Sequence, residues 1–179
     1  MARGESLRRD MEVVEFGPLT EVIRRELEGD EQDPFDASGN SLQFRPKDQH
    51  VGLLDGSGRL VASTGIIVVE VEVDDNRFEV VGLGGVIVNA HNRGRGLGRL
   101  VVEAALMKAR KLGPAFAMLF CHADRAGLYY KVGFSPVSAE VVVRQSDGYA
   151  SMPQRTMWRA LHGKFAWPSG RVVVHSLPF

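Results

Sequence analysis

The residues of this chain that point most directly to chemistry are the arginines and glycines that follow a short apolar run, Val86-Ile87-Val88. Glycines let a backbone approach a phosphate closely, and the first amides of a helix have no partner inside the helix. The helix dipole favours an anion at the same end. We therefore expect a pyrophosphate site built from a strand, a loop and a helix start. Its members are Arg93, Gly94, Arg95, Gly96, Leu97, Gly98 and Arg99.

The spacing of these glycines excludes two common phosphate-binding motifs. A dinucleotide fingerprint, Gly-x-Gly-x-x-Gly, would need a third glycine where the chain has Arg99. A P-loop would need Gly-Lys-Ser or Gly-Lys-Thr, and the sequence contains neither. The spacing that remains is Arg-x-x-Gly-x-Gly, at Arg93, Gly96 and Gly98.

A second motif follows further along the chain. Residues 126–134 read Ala-Gly-Leu-Tyr-Tyr-Lys-Val-Gly-Phe, with Tyr129 four residues before Gly133. Together with the Arg-x-x-Gly-x-Gly spacing, this pattern resembles the GNAT superfamily of acyl-CoA-dependent N-acetyltransferases, with a weaker similarity to its aminoglycoside acetyltransferase-like members. The similarity extends over roughly residues 53–143.

The resemblance implies both a fold and a co-substrate. The fold is α/β (α+β), with a mixed, mostly antiparallel central sheet that is flanked by helices and splayed between the strands ending at Val88 and Cys121. The co-substrate is acetyl-CoA. Its pantetheine arm would pair with the backbone of Val86, Ile87 and Val88, and its pyrophosphate would lie on amides of residues 93–98.

The implied reaction is attack of a primary amine on the thioester carbonyl, followed by loss of the coenzyme A thiolate. A backbone N–H, that of Val88, would polarise the carbonyl oxygen. Tyr129 occupies the tyrosine position of the family, and a phenol has a pKa of about 10, so it stays protonated at neutral pH and can act as general acid. The alternative for Tyr129 is a packing tyrosine with an ordinary hydrogen bond.

The general base is the least defined part of the implied site. Some relatives carry a glutamate on the strand before the glycine-arginine loop, and the matching position here is Gly84, which has no side chain. Glu70 and Glu72 on the preceding strand, and His122 after a buried strand, are the candidates that take its place. The carboxylate of Phe179 is a further candidate if the C-terminal segment folds over the cleft.

Cys121 raises the alternative of a covalent acyl-cysteine route, because it ends a strand beside the expected cleft. Direct transfer is the usual route in this family, and free cysteines are commonly inert core residues. Direct transfer is therefore the mechanism that we expect.

Periodicity and turn residues place these motifs on elements. Strands are expected at Glu12–Phe16, 66–73, 78–88, 115–121, 137–144 and 156–161, with a hairpin over residues 50–63. Helices are expected at residues 21–27, capped by Thr20, and at 97–112. The glycines at 82, 84 and 85 predict a bulge at the point where two parallel strands separate.

Composition restricts the class of protein. With 179 residues we expect one domain, 1–179, with a core over 50–145 and a docked C-terminal segment over 146–179. The net charge of +0 gives no indication of nucleic acid or an acidic membrane as partner. Five scattered histidines and one cysteine predict no metal site, and the single cysteine indicates a reducing, cytoplasmic setting.

The acceptor is the remaining unknown. A small-molecule primary amine is expected. A CoA-binding sensor or scaffold without turnover, favoured by Gly84, and a protein or peptide N-acetyltransferase stay open. The acidic segment 30–36 could attract a cationic acceptor or could simply be a solvated loop. Because many relatives dimerise, the resemblance also leaves a homodimer open.

Overall fold

The structure, a computed structural model, describes residues 10–29 and 41–179. The hypothesis about the acidic segment 30–36 lies outside these residues. The helices are α1 (Glu21–Glu28), α2 (Leu97–Ala109) and α3 (Ala126–Lys131). The strands are β1 (Glu12–Phe16), β2 (Gln49–Leu54), β3 (Leu60–Val73), β4 (Asn76–Val88), β5 (Phe116–Cys121), β6 (Ser135–Pro136), β7 (Val141–Gln145), β8 (Gly148–Ser151), β9 (Arg155–Ala160) and β10 (Val172–Val174).

All ten strands found in residues 10–29 and 41–179 belong to one mixed sheet. The order is β6-β9-β5-β4-β3-β10-β7-β8, and the hairpin β1–β2 also pairs with β3. Strand β3 is long enough to pair with both β2 and β10 along the same edge. Strand β2 pairs with its first half and β10 with its second half. Among the described strands, only the β4–β5 and β7–β10 pairs are parallel. The predicted mixed, mostly antiparallel sheet is therefore confirmed.

The glycine-rich stretch of β4 produces the predicted bulge and splay. Gly84 pairs with Gly65 and Ile87 with Ser63, so one extra residue of β4 lies between them, and Gly85 adopts a φ of 64°. The parallel pairing of β4 with β5 ends at Leu83 opposite Leu119. Beyond that point β5 pairs only with β9, and residues 84–88 of β4 lie along an open edge.

Each helix covers a defined part of the sheet. The buried residues of α2 include Val101, Val102 and Ala105, and they pack on one face in the largest core cluster. Helix α1 begins at the predicted cap, where the hydroxyl of Thr20 accepts from the Ile23 amide at 3.3 Å. Its Leu27 packs on the opposite face with Ile87. The two faces of the open edge are thus enclosed by different helices.

Several predicted boundaries differ from the structure, among them the end of α2 and the start of β7. Helix α2 ends at Ala109 instead of residue 112, because the Lys111 and Leu112 amides bond to carbonyls three residues back, which tightens the turn. Strand β7 begins at Val141 instead of residue 137. Val137 donates its amide to Thr156 of β9, so this residue continues the β6–β9 pairing.

The C-terminal segment is an integral part of the sheet. Strand β9 lies between β5 and β6, and Phe179 is 3% exposed. No helix within 10–29 and 41–179 is long and apolar enough to cross a membrane. The same residues contain no cluster of three histidine, cysteine or acidic side chains that could hold a metal ion.

Candidate acyl-CoA and acceptor site

The open edge of β4 presents unpaired backbone groups towards β5. The Asn89 amide donates to Val61 of β3 at 2.9 Å. Because N–H groups alternate between the two edges of an antiparallel strand, the N–H and C=O of Val88 face the opposite, open edge. The Val88 carbonyl is already engaged, since Arg93 Nε donates to it at 3.0 Å. An extended ligand could therefore bond to the remaining groups of this edge.

The loop after β4 leads directly into the N-terminus of α2. Gly94 and Gly96 have φ values of 73° and 84°, which L side chains rarely adopt. Gly96 is the N-cap of α2 and makes no side-chain capping bond. The first amides of this 13-residue helix are thus available to an anion.

Gly98 differs from its two neighbouring glycines, because its backbone does not require glycine. A Cβ at this position would lie 3.6 Å from Leu128 Cδ2 and 3.7 Å from Val88 Cγ2, which are ordinary contacts. The protein itself therefore has room for a larger residue here. A substitution at Gly98 is therefore a test of ligand approach that the fold itself tolerates.

The predicted arginines surround this loop but have partners within the chain. Arg95 Nη1 donates to Asn92 Oδ1 at 2.7 Å, and Arg99 Nε to Glu103 Oε1 at 2.8 Å. All three arginine side chains, Arg93 included, are held near the start of α2. They raise the local positive potential there without burying a charge.

A cavity of about 350 Å³ lies beside the open edge. Val86, Ile87 and Tyr129 form part of its wall. Residues from α1, the segment before β2 and the C-terminus complete it. They include Leu27, Phe44, Lys47, His50, Ser63, Cys121, His122, Arg125, Gln154 and Phe179. The structure thus brings Val86, Ile87, Tyr129 and His122 of the predicted set to one cleft.

Tyr129 is buried in this cleft. It is 8% exposed, and its ring packs edge-on against Phe134 with centroids 6.0 Å apart. Burial raises the pKa of the Tyr129 hydroxyl, and the neighbouring Cys121 raises it further, while Arg125 opposes both effects. The hydroxyl is therefore a proton donor at neutral pH. The following residue, Tyr130, is 46% exposed and accepts a hydrogen bond from Arg155 at 3.3 Å.

Cys121 lines the same cleft as a neutral thiol. Burial raises its pKa to about 11, and its Sγ lies 3.7 Å from Met157 Sδ. Only the thiolate is an effective nucleophile. This environment argues against the covalent acyl-cysteine route.

His122 lies at the wall of the cleft, at the end of β5. Its Nε2 is 3.2 Å from the Gln154 side-chain amide nitrogen, a contact that orients the ring. Of the four base candidates from the sequence, His122 and Phe179 line the cavity, whereas Glu70 and Glu72 do not.

Glu70 and Glu72 lie elsewhere, so their proposed role needs correction. They are five and seven residues beyond Gly65 on β3, far from the bulge. Arg77 donates to Glu70 at 3.2 Å and to Glu72 at 2.7 Å, and His175 Nε2 lies 3.0 Å from Glu72. Hydrogen bonds from His175 and Arg77 lower the pKa of Glu72. The two glutamates therefore form an ion cluster with Arg77 and His175 near the C-terminal end of β3.

Several cleft residues have no signal in the sequence. The Ser63 hydroxyl is fully buried and has no hydrogen-bond partner within the described chain. His50 stacks on Phe16 with centroids 5.3 Å apart and lies 2.8 Å from the Gly17 carbonyl. Burial, the largest effect, lowers the pKa of His50. Lys47 enters the cleft from an irregular segment that no motif marks.

The surroundings of Gly84 explain why a side chain is absent there. A Cβ at Gly84 would lie 2.6 Å from the carbonyl carbon of Phe179 and 2.9 Å from Lys47 Cε. The space that a glutamate side chain would enter is therefore occupied by two other parts of the chain.

Comparison with known proteins decides the family. A family model described as an acetyltransferase (GNAT) domain matches residues 30–137, more than half of the chain. The protein belongs to the GNAT family. This family comprises acyl-CoA-dependent N-acetyltransferases, as the two sequence motifs indicated. No curated protein sequence matches the chain.

Solved structures share the GNAT fold at low sequence identity. The GNAT family N-acetyltransferase YhbS from Escherichia coli, in complex with CoA, is 18% identical, with a TM-score of 0.60 over 93% of this chain and 90% of that one. ElaA from Escherichia coli is 21% identical, with a TM-score of 0.53 over 83% and 99%. A GNAT family acetyltransferase from Brucella melitensis, in complex with acetyl-CoA, is 17% identical, with a TM-score of 0.52 over 92% and 96%. At these identities the likeness shows the fold alone.

Proposed function

We propose that this GNAT protein transfers an acetyl group from acetyl-CoA to the primary amine of a small molecule by direct attack on the thioester. The observation that carries the proposal is the continuity of the open edge. It runs from the start of α2, past Val86–Val88, to a cavity that also contains Tyr129. A diphosphate at one end would place a thioester at the other.

The cofactor contacts of the proposal follow this path. The pyrophosphate binds the first amides of α2 and the loop of residues 93–98. The pantetheine pairs with the open-edge groups of Val86 and Val88 and not, as expected from the sequence, with Ile87, whose backbone groups face Ser63 of β3. The Val88 N–H, which faces the open edge, is a suitable donor to the thioester oxygen. Negative charge develops on the thioester oxygen in the transition state. A fixed N–H donor therefore stabilises the transition state more than the ground state.

Proton transfer in the proposal uses two residues of the cleft. Tyr129 donates its proton to the departing sulfur, because burial keeps the hydroxyl protonated. His122, oriented by Gln154, accepts the proton that the attacking amine loses. The raised pKa of Cys121 supports direct transfer instead of an acyl-cysteine intermediate.

Replacement of Tyr129 by phenylalanine tests the proposal. Tyr129→Phe removes only the hydroxyl, so we expect turnover to fall about ten-fold or more while the dissociation constant for acetyl-CoA stays nearly the same. The measurement is thiol release from acetyl-CoA with a panel of primary amines, together with calorimetry. Tyr130→Phe is the matched control and should retain full turnover. An unchanged rate in Tyr129→Phe would remove this residue from the mechanism.

A CoA sensor without turnover is the second candidate, because Gly84 lacks the glutamate of some relatives. It predicts heat of binding with CoA but no thiol release with any amine of the panel. A peptide acceptor is tested in the same assay by including basic peptides with free N-termini.

A further inference from the structure

Lys47 is held against the sheet by two glycines that pair with each other. A Cβ at Gly65 would lie 2.5 Å from Lys47 Cγ and 2.6 Å from Lys47 Cβ. A Cβ at Gly84, opposite Gly65 across the β3–β4 ladder, would lie 2.9 Å from Lys47 Cε. The whole aliphatic stem therefore lies across two bare positions of the sheet. The position of this stem determines the position of the Lys47 amine.

The amine of Lys47 ends in the proposed acetyl-transfer cleft. Lys47 lines the same cavity as Val86, Ile87 and Tyr129. Its Cε lies beside Gly84, the first residue of β4 beyond the last β4–β5 pair, where the splay begins. An amine of this chain therefore lies in the cleft beside the edge proposed to hold the acetyl donor.

The surroundings of Lys47 make this amine more reactive than a surface lysine. Burial lowers the pKa of Lys47 to about 8, so a substantial fraction is neutral at mildly alkaline pH. The positive charge of Lys47 in turn contributes to the lowered pKa of His50. Other charged or titratable groups line the same cavity. They are Arg24 and Glu28 from α1, His50 from β2, Cys121 at the end of β5, His122 and Arg125 after it, Tyr129 from α3, and the carboxylate of Phe179, whose carbon would lie 2.6 Å from a Cβ at Gly84.

We propose that Lys47 is a self-acetylation site: without another amine, its Nζ attacks the thioester carbon of acetyl-CoA bound in the cleft. This inference rests on the proposed function. The lysine ammonium first releases a proton to water, and an N–C bond then forms as the C–S bond breaks. The sulfur takes the Tyr129 proton, the attacking nitrogen loses its proton to solvent, and Tyr129 is reprotonated from solvent. The products are acetyl-lysine, coenzyme A and one net proton.

Acetylation of Lys47 would change the cleft in two ways. It would remove a positive charge, and it would place an acetyl group beside Gly84. Both changes affect the space proposed for the acceptor. A good external acceptor should therefore protect Lys47, because both amines compete for the same thioester.

The test uses the wild-type protein with acetyl-CoA and no added amine, followed by peptide mass spectrometry. The exposed Lys164 is the internal comparison. We expect Lys47 to be acetylated about ten-fold faster than Lys164 or more, because of its larger neutral fraction and the bound donor. The rate should saturate with acetyl-CoA, fall when CoA is added and increase as the pH rises through about 8. Acetylation of Lys47 no faster than Lys164, or a rate that stays proportional to acetyl-CoA concentration, would overturn the inference.

Two further measurements separate this inference from the proposed function. Calorimetry with CoA tests the cofactor site alone: no heat contradicts the proposed function, whereas heat without modification of Lys47 contradicts only self-acetylation. Tyr129→Phe should slow the acetylation of Lys47 and leave that of Lys164 unchanged, because only the first uses the cleft. Lys47→Arg, which keeps the charge, should eliminate the modified peptide. An equal rate at Lys47 in Tyr129→Phe and wild type would contradict transfer through this cleft.

Discussion

At the scale of single residues, burial separates the roles of two neighbouring side chains. Both Tyr129 and Cys121 line the cleft, and burial raises the pKa of each. For a tyrosine this keeps a donor protonated at every physiological pH. For a cysteine it suppresses the thiolate that a nucleophile requires. The same physical effect thus supports one residue as general acid and argues against the other as nucleophile.

Cys121→Ala should leave turnover within about two-fold of wild type, since its thiol is neutral at pH 7 and takes no part in transfer. The measurement is steady-state thiol release with the best amine of the panel. Alkylation of the wild-type thiol by iodoacetamide at pH 7 should also be slow for the same reason. Loss of nearly all activity in Cys121→Ala, with its thermal stability retained, would favour the acyl-cysteine route.

The burial of Lys47 predicts that the difference in stability between wild type and Lys47→Met depends on pH. Its pKa is about 8 in the folded protein and 10.5 without burial, a shift equivalent to about 3 kcal/mol. Between these values the unfolded state binds more protons, so the free energy of unfolding of wild type should rise with pH relative to Lys47→Met. Denaturant titrations from pH 7 to 11 measure this. Lys164→Met, at an exposed position, is the control, and a parallel curve for Lys47→Met would contradict the burial of the charge.

At the scale of elements, α2 and the loop before it combine two different uses of glycine. Gly94 and Gly96 adopt positive φ values that favour glycine, whereas a Cβ at Gly98 would make only ordinary contacts. The Arg-x-x-Gly-x-Gly motif includes Gly96 and Gly98 without distinguishing them. Backbone angles and Cβ contacts make the distinction, and they identify Gly98 as the position where a substitution tests the ligand instead of the fold.

Gly98→Ala should stabilise the protein by up to about 1 kcal/mol, because alanine favours a helix. It should nevertheless weaken CoA binding by about ten-fold or more, since the added methyl group would crowd the pyrophosphate. Chemical denaturation and calorimetry measure the two effects. Gly127→Ala in α3, where a Cβ meets nothing within 4 Å, is the matched control and should keep wild-type affinity. Unchanged CoA affinity in Gly98→Ala would contradict the proposed phosphate position.

Most elements could be predicted because their signals are local. Thr20 caps α1 through its own hydroxyl, and the glycines of β4 carry the bulge in their own backbone. The predictions were wrong where pairing with distant segments decides the outcome. Val137 bonds to Thr156 of β9, which shortens β7, and no local pattern reports that bond. Glu70 and Glu72 were considered for the site because strand alternation says which face a residue occupies but not how far it lies from a bulge.

At the scale of the whole molecule, the sheet order brings the C-terminal residues to the same cleft as α1 and the segment before β2. Strand β9 pairs with β5 and carries Arg155–Ala160 to the edge opposite β4. The chain then returns past Trp167, which packs on Phe78, Phe116 and Trp158, before β10 pairs with β3. Phe179 thereby reaches Gly82 and Gly84. This long-range arrangement explains why Lys47, Ser63 and Gln154 could not be assigned to the site from the sequence alone.

The last prediction concerns the contribution of this C-terminal return to stability and to the cleft. The Phe179 ring lies against Gly82 and 4.9 Å, between centroids, from Phe120. Phe179→Ala should therefore lower the free energy of unfolding by about 3 kcal/mol, because it leaves a cavity on the face of the sheet beside Gly82 and Phe120. Phe165→Ala, at a residue 58% exposed, should change it by less than about 0.5 kcal/mol. Equal effects of the two substitutions in urea denaturation would show that the C-terminal residues do not pack on the sheet in solution.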